Sequence, residues 1–325
     1  MANAKIIGLG SYIPEKVYDN AYMESIVDTN DEWITRRTGI KERHVSADDE
    51  YTTDIAVKAA EEAIKDAGIS PEDIDLILLA TVTPDYFTPS CACVVQDKIG
   101  AVNAMAMDYN AACSGFVVGV IMADQFITTG TYKNVLIIAA DVLTKATDYK
   151  DRATCVLFGD AAGAAVMTAT DEPGVISFDM GSDGSGHNAL TSLAFRNDSE
   201  EIEKRIDGRK ETIWMAGQAV MKFAVKAMAD SSNRALEKAG LTYDDIALVV
   251  PHQANYRIVD SAIKRMGISE DKIILTIDKY GNTSASCIPV AFNEAVKTGR
   301  VKKGDKVVLV GFGSGLTYAA CVIQL

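Results

Sequence analysis

The sequence has little of what would place it outside the ordinary globular proteins. Six cysteines are present, without C-x-x-C spacing or a secretion-type leader, so we expect reduced thiols rather than disulfides. The three histidines are isolated from any cysteine at ligand spacing, which argues against a zinc site. No apolar run is long enough to cross a bilayer. A net charge of −13 argues against nucleic acid as the main partner. These absences predict a cytoplasmic protein with no metal and no membrane segment.

What is present fits a sizeable α/β protein. A chain of 325 residues with 48% hydrophobic residues is long enough for two domains or one large unit. Apolar residues recur at helical spacing from Thr53 to Ala67 before Gly68, which predicts an amphipathic helix with a glycine end. The apolar run from Ile74 to Leu79 predicts a buried strand after it.

An internal repeat divides the chain. The segment 63–79 resembles 235–251, and the offset between Ala63 and Ala235 is 235 − 63 = 172. The segment 155–167 likewise resembles 310–323, and the offset between Phe158 and Phe312 is 312 − 158 = 154. The pattern predicts two similar βα halves, residues 1–171 and 172–325, with mostly parallel sheets packed about a pseudo-twofold axis. The first half is longer between its matched segments by 172 − 154 = 18, and we expect part of this excess in loops near Cys113.

Cys113 lies where a strand is expected to turn into a helix. A buried strand is predicted to end at 104–107, and an almost wholly apolar helix is predicted over 116–128. Free N–H groups and the helix dipole at that point favour an anion, so we expect a lowered thiol pKa and a nucleophile. The alternative is a small buried hydrophobic residue, which is what most free cysteines are.

Three second-half segments are expected at the same junction. His252 follows a predicted strand and precedes a helix, although a lone histidine is often structural. Asn282 precedes a helix much as Cys113 does, although Gly-Asn is also a turn signal. The glycine-rich turn at 313–317 joins the last two strands and allows close backbone approach. We expect all of them to reach one cavity with Cys113.

Taken together, these segments resemble the condensing enzymes of the thiolase superfamily, and most closely the β-ketoacyl-acyl-carrier-protein synthase III family. The resemblance covers nearly the whole chain. It is carried by the ordered motifs at 8–14, 31–34, 37–40, 42–44, 111–115, 158–160, 251–255 and 281–284. It implies a thiolase-like fold with αβαβα layers. Thiolases use a second cysteine near the last glycine turn, whereas this turn has none.

The resemblance implies the start of fatty-acid synthesis. Cys113 would take an acyl group, with acetyl as the expected primer, from coenzyme A, while the N–H groups of Cys113 and Ser314 hold the oxyanion. His252 and Asn282 would stabilise the enolate formed when malonyl-acyl carrier protein loses CO2. Both thioesters are substrates, and no resident cofactor is implied. A related condensing enzyme or acyltransferase of secondary metabolism remains the alternative. The complete triad argues against a catalytically silent subunit.

Further residues match the family by position. Those implied to bind coenzyme A are Thr29, Trp33, Arg37, Arg152 and Gly217. Those implied at the acyl pocket are Phe87, Thr88 and Phe158, with Thr88 capping the pocket of the other subunit of a homodimer. Many relatives carry Phe at the position of Thr88. Ser314 and Tyr318 also depart from the usual pattern.

An acidic enzyme that meets an acidic carrier protein needs a local basic surface. The residues implied there are Lys222, Arg257, Lys264 and Arg265, for which an ordinary solvated surface is the alternative. The remaining cysteines, Cys91, Cys93, Cys155, Cys287 and Cys321, are expected to be inert packing residues. His44 and His187 are expected to be structural or surface residues.

Overall fold

The computed structural model describes residues 2–194 and 212–325 of the chain. Its strands are β1 (Asn3–Tyr12), β2 (Lys16–Asp19), β3 (Glu42–Val45), β4 (Leu76–Ala80), β5 (Met105–Tyr109), β6 (Asn134–Val142), β7 (Asp160–Thr170), β8 (Val175–Ser182), β9 (Leu190–Thr191), β10 (Trp214–Met215), β11 (Leu248–Pro251), β12 (Lys306–Gly313) and β13 (Thr317–Gln324). Its α-helices are α1 (Asn20–Ile26), α2 (Asp31–Thr38), α3 (Thr52–Ala67), α4 (Cys91–Ile99), α5 (Gly115–Thr128), α6 (Arg152–Cys155), α7 (Gly217–Ala239), α8 (Tyr256–Met266), α9 (Ile277–Tyr280) and α10 (Cys287–Lys297). Short 3-10 turns at Ala112–Ser114 and Ser284–Ser286 precede α5 and α10.

Helix α3 shows how local sequence sets an element. Its start is closed by the N–H of Tyr51, which donates to the Asp54 carboxylate at 3.0 Å. Its end is Gly68, whose φ of +67° is readily accessible to glycine. Strand β1 packs so closely on this helix that a Cβ at Gly8 would lie 2.4 Å from the carbonyl oxygen of Ala63. The predicted amphipathic helix is confirmed.

Two mixed sheets form the body of the protein. The first has the order β1-β7-β6-β4-β5 and the second β8-β13-β12-β11. In each sheet the first two pairings are antiparallel and the rest are parallel. The prediction of mostly parallel sheets is therefore wrong. The turn at 313–317 explains one antiparallel pairing, because so short a connection cannot return a strand in parallel.

Five layers follow from the burial pattern. Alternate residues of β4 and β6 face opposite sides, one towards α3 and α4 and the other towards α5 and α10. Helices α5 and α10 lie between the sheets, which is why α5 is apolar on almost every face. Helices α7 and α8 cover the outer face of the second sheet. The layers are thus α, β, α, β, α.

The repeat predicted from sequence recurs in the element boundaries. Strands β1, β4 and β6 begin at 3, 76 and 134, whereas β8, β11 and β12 begin at 175, 248 and 306, so each pair has the offset of 172. The offset is smaller at β7 and β13. Lys5 of β1 pairs with Thr168 and Ser177 of β8 pairs with Val322, which gives 322 − 168 = 154. The insertion in the first half therefore lies between β6 and β7.

This insertion is distant from Cys113 in sequence, although the segment that contains it supplies Arg152, Leu157 and Phe158 to the wall of the cavity described below. Part of the 18-residue excess of the first half therefore lies near Cys113 in the folded structure, as predicted, although it is far from Cys113 in sequence. The division at residues 171 and 172 remains a prediction.

Candidate active site

A cavity of about 430 Å³ is lined by residues from both halves. Cys113 from the first half and His252, Asn282 and Gly313 from the second line its wall. The predicted convergence of these segments is confirmed. The cavity is mainly apolar, with polar groups at few points, as in small-molecule sites generally.

Cys113 sits in a turn that the neighbouring chain holds tightly. The preceding residue, Ala112, has a φ of +47°, and its N–H donates to Asn110 Oδ1 at 3.0 Å. The last glycine turn packs closely against the backbone of Cys113, since a Cβ at Gly313 would lie 2.5 Å from the Cys113 nitrogen. Glycine is needed there for backbone to reach the nucleophile. Strand β5 differs from the prediction, since it starts at Met105 and forms a partly exposed sheet edge.

The Cys113 thiol is held in its protonated form. Burial raises its pKa to about 12. The side chain of Ser284 lowers this pKa, whereas the charge of the Asp141 carboxylate raises it further. The prediction of a lowered pKa is therefore wrong. Removing water from a thiolate outweighs the local dipoles of the short 3-10 turn at this position.

His252 enters the cavity as a neutral ring. Its main-chain N–H donates to the Val310 carbonyl at 2.8 Å, which places it directly after β11. Its ring packs edge-on against Phe312, with centroids 5.0 Å apart. Burial lowers its pKa to about 3, so the imidazole is uncharged at neutral pH. A neutral ring can donate a hydrogen bond from only one of its nitrogens.

Asn282 is oriented by main-chain groups on both sides. Its N–H donates to the Leu157 carbonyl at 2.9 Å, and its own carbonyl accepts from Gly159 N–H at 3.0 Å. The side-chain Oδ1 accepts from the N–H of Ser284 at 3.0 Å. Among residues 2–194 and 212–325 no group accepts a hydrogen bond from Nδ2, so its protons can serve a group in the cavity.

The turn that carries Ser314 is tied to the nucleophile's own turn. The Thr317 hydroxyl donates to the carbonyl of Ala111 at 2.9 Å, two residues before Cys113. The Ser314 hydroxyl donates to the Leu190 carbonyl at 2.6 Å. The structure thus accommodates a serine at the position where the resemblance leads one to expect glycine. The peptide N–H groups at this turn are the predicted oxyanion donors.

The predicted coenzyme residues meet at the mouth of the cavity. Two guanidinium groups lie over the Trp33 ring, with the Cζ atoms of Arg37 and Arg152 each 5.1 Å from its centroid. These three residues and Gly217 line the wall. Thr29 does not line it, and its buried hydroxyl has no hydrogen-bond partner within the described residues. The arrangement offers a flat aromatic ring beside two cations, which suits an anionic heteroaromatic ligand.

A second cavity, of about 330 Å³, also reaches Cys113. Phe158 and Leu190 line both cavities, whereas Leu143 and Ile213 line only this one of the two. Leu143, Leu190 and Ile213 were not predicted from sequence, because nothing in their local pattern distinguishes them from core residues. Phe87 and Thr88 lie on an exposed loop outside this cavity of their own chain.

Comparison with known proteins identifies the family. A family model described as 3-oxoacyl-[acyl-carrier-protein (ACP)] synthase III matches residues 107–184, and the corresponding C-terminal model matches residues 236–325. A β-ketoacyl-[acyl-carrier-protein] synthase III of Clostridioides difficile is 54% identical over 99% of this chain and 98% of that protein. This chain belongs to the β-ketoacyl-[acyl-carrier-protein] synthase III family.

Solved structures agree with this membership. The synthase III of Thermus thermophilus is 44% identical, with a TM-score of 0.93 and 99% of each chain covered. The priming β-ketosynthase of the R1128 polyketide pathway is 33% identical, with a TM-score of 0.93, over 100% of this chain and 96% of that one. The thiolase-like fold and the classification as an acyltransferase of fatty-acid biosynthesis are confirmed. No helix within residues 2–194 and 212–325 has the length and apolar character needed to span a membrane.

The basic residues expected at the docking surface of a synthase III differ in their distance from the cavity and in whether they form ion pairs. Arg257 lines the cavity at the start of α8, and Lys222 is exposed on α7 outside the wall. Lys264 bonds Asp260 at 2.8 Å, and Arg265 bonds Asp230 at 2.9 Å. The last two therefore already have acidic partners within the chain.

Two of the remaining cysteines, Cys93 and Cys287, differ from the prediction of inert packing residues, whereas the remaining histidines agree with their prediction. Cys93 is exposed rather than packed, because it lies on the outward side of α4. Cys287 is buried, but it contacts His252. His44 bonds the Pro14 carbonyl at 2.5 Å, and His187 is exposed, both as expected of structural or surface residues.

Proposed function

We propose that this chain starts fatty-acid synthesis by condensing an acyl-CoA, with acetyl as the primer, with malonyl-acyl carrier protein. Cys113 is the nucleophile, and His252 and Asn282 are the donors that stabilise the enolate. One observation carries this proposal: all three side chains line a single cavity whose mouth holds Trp33 beside two arginines. No resident cofactor takes part, since both thioesters are substrates.

Acylation comes first. The Cys113 sulfur attacks the acyl-CoA carbonyl, the bond to the coenzyme sulfur breaks, and the thiol proton leaves with coenzyme A. The developing oxyanion accepts from the N–H groups of Cys113 and Ser314. Because burial raises the pKa of Cys113 to about 12, the free enzyme holds a thiol, and attack on the thioester must be accompanied by loss of its proton.

Condensation follows in the same cavity. Loss of CO2 from the malonyl group leaves its bonding electron pair as an enolate, whose oxygen accepts from His252 Nε2–H and Asn282 Nδ2–H. The carbanion carbon then attacks the acyl group, and the Cys113 sulfur leaves and regains a proton from solvent. Removing one such donor costs about 3 kcal/mol of barrier.

Separating the two half-reactions tests the assignment. His252→Ala should still be acylated by acetyl-CoA, as seen by intact mass, but should fail to release CO2 from malonyl-acyl carrier protein. Cys113→Ala should show no acyl adduct. Equal loss of acylation and CO2 release in His252→Ala would contradict the division of labour.

The acyl group is proposed to occupy the second cavity of about 330 Å³, beyond Cys113. The likeness to a polyketide priming synthase keeps secondary metabolism as the second candidate, with larger or branched primers. A series of acyl-CoA substrates with one carrier protein distinguishes the two. A preference for acetyl-CoA supports fatty-acid initiation, whereas a preference for long or branched primers supports the alternative.

We further propose a homodimer that acts in the cytoplasm. Strand β5 is an edge of its sheet with Met105 48% exposed, and Phe87, in the loop before α4, is 74% exposed. Exposed apolar residues beside an open sheet edge favour a covering subunit. Phe87 and Thr88 would then complete the partner's acyl pocket. Sedimentation should give a dimer, and a fully active monomer would contradict this arrangement.

A further inference from the structure

Cys287 is a buried thiol that the proposed reaction leaves unused. It is the first residue of α10, and its sulfur lies 2.8 Å from Nδ1 of His252. The same sulfur accepts the main-chain N–H of Gln253 at 3.2 Å. A residue that the sequence assigns to packing therefore touches the inner nitrogen of the proposed enolate donor.

The directions of these hydrogen bonds follow from counting donors. The Gln253 N–H can only donate, so the sulfur is its acceptor. If Nδ1–H also donated to the sulfur, a weak acceptor would take two bonds, and the thiol hydrogen would have no partner among the described residues. If the thiol instead donates to Nδ1, the sulfur accepts one hydrogen bond, from Gln253 N–H, and the thiol hydrogen has an acceptor in Nδ1. Nδ1 is then the bare nitrogen, and the proton of the neutral ring sits on Nε2.

We propose that Cys287 is a positioning residue that sets the tautomer of His252, keeping Nε2–H directed into the cavity as a donor. The inference rests on the proposed function, in which that proton is donated to the enolate oxygen. Without the thiol, the two neutral tautomers of the ring compete, and in one of them Nε2 has a lone pair that repels the enolate. Loss of the partner behind a metal-bound imidazole typically costs about 10- to 100-fold in affinity or activity, and we expect an effect of about tenfold or more here.

The tautomer can be read directly. The chain has three histidines, so 15N labelling of histidine gives few ring signals, and His252→Gln assigns those of His252. We expect the wild type to show Nδ1 as the bare nitrogen at neutral pH. Cys287→Ala should give a mixture of tautomers, and Cys287→Ser, which keeps a donor, should restore the wild-type pattern. A protonated Nδ1 in the wild type would overturn the proposal whatever the kinetics.

Rates of CO2 release and of acylation provide a second test of the role of Cys287. Cys287→Ala should lower CO2 release from malonyl-acyl carrier protein by about tenfold or more with acylation of Cys113 nearly unchanged. Cys321→Ala removes an equally buried thiol away from His252 and controls for the cavity. Unaltered CO2 release in Cys287→Ala, or an equal loss in Cys321→Ala, would refute the role of Cys287. If His252→Ala itself keeps full CO2 release, the proposed function fails instead.

Discussion

The turns that precede α5 and α10 have nearly the same backbone and different chemistry. Ala112 and Ser284, which the repeat offset of 172 relates, have positive φ values of +47° and +57°. In each turn an asparagine two residues earlier, Asn110 or Asn282, accepts the N–H of that residue at 3.0 Å. The two halves therefore share a structural use of asparagine, to which the second half adds a donor in the cavity.

The reactive positions are divided between the halves. Ala285 lies where the repeat would place a second Cys113, and Ala80 lies where it would place a second His252. Cys113 and His252 thus each have a small, unreactive counterpart in the other half. A duplicated frame with one chemical task in each half brings nucleophile and donors to one cavity without a second, competing site.

The strongest test of this division moves the nucleophile to the other half. We expect Cys113→Ala combined with Ala285→Cys to lose condensation completely, because position 285 is packed among Gly115 and its neighbours. Intact and peptide mass spectrometry with acetyl-CoA should show one acyl group on Cys113 in the wild type and none in the double variant. An adduct at position 285, or at another wild-type cysteine, would contradict the division.

The paired asparagines separate structure from catalysis. Asn282→Ala and Asn110→Ala each lose one hydrogen bond to a buried turn, so we expect each to lower the free energy of unfolding by about 1 kcal/mol. Only Asn282→Ala should also slow CO2 release, by about 10²–10³-fold, because it removes an enolate donor. Chemical denaturation and CO2 release measured on both variants check this. Similar kinetic losses in the two would show that Asn282 acts only through the turn.

The protonated state of Cys113 predicts its pH dependence. Because burial raises the pKa to about 12, the thiolate fraction should rise about tenfold per pH unit between pH 7 and 10. Iodoacetamide labelling followed by peptide mass spectrometry should show that rise without a plateau, with the exposed Cys93 as a reference in the same sample. A plateau below pH 9 would instead support the lowered pKa expected from the helix terminus.

The smallest expected effects concern the rim of the cavity. Arg152→Glu should raise KM for acyl-CoA, and Arg257→Glu should raise KM for malonyl-acyl carrier protein, each by about three- to tenfold at low salt. Added salt should shrink the Arg257 effect, since exposed charges act mainly on encounter. Lys264→Glu, at a residue already paired with Asp260, is the matched control. If Arg257→Glu slows acylation instead, the residue belongs to the coenzyme site.

Much of the site was predictable because its residues carry local signals. Cys113, His252 and Asn282 stand at ends of apolar segments, beside glycines or a strand end, where side chains reach a cavity. Leu143 and Ile213 carry no such signal, because an apolar residue in a pocket wall looks like one in the core. The contact between Cys287 and His252 joins segments 35 residues apart, and no spacing rule predicts it.

By itself the sequence determined the elements and their duplication, because hydrophobic period, glycine ends and a constant offset are local properties. It also indicated which residue types carry the chemistry. The tertiary structure alone decided the mixed direction of the sheets and the position of the insertion in the first half. It also decided the protonation of the groups in the cavity. Burial raises the pKa of Cys113 and lowers that of His252, and burial depends on the whole fold rather than on any one segment.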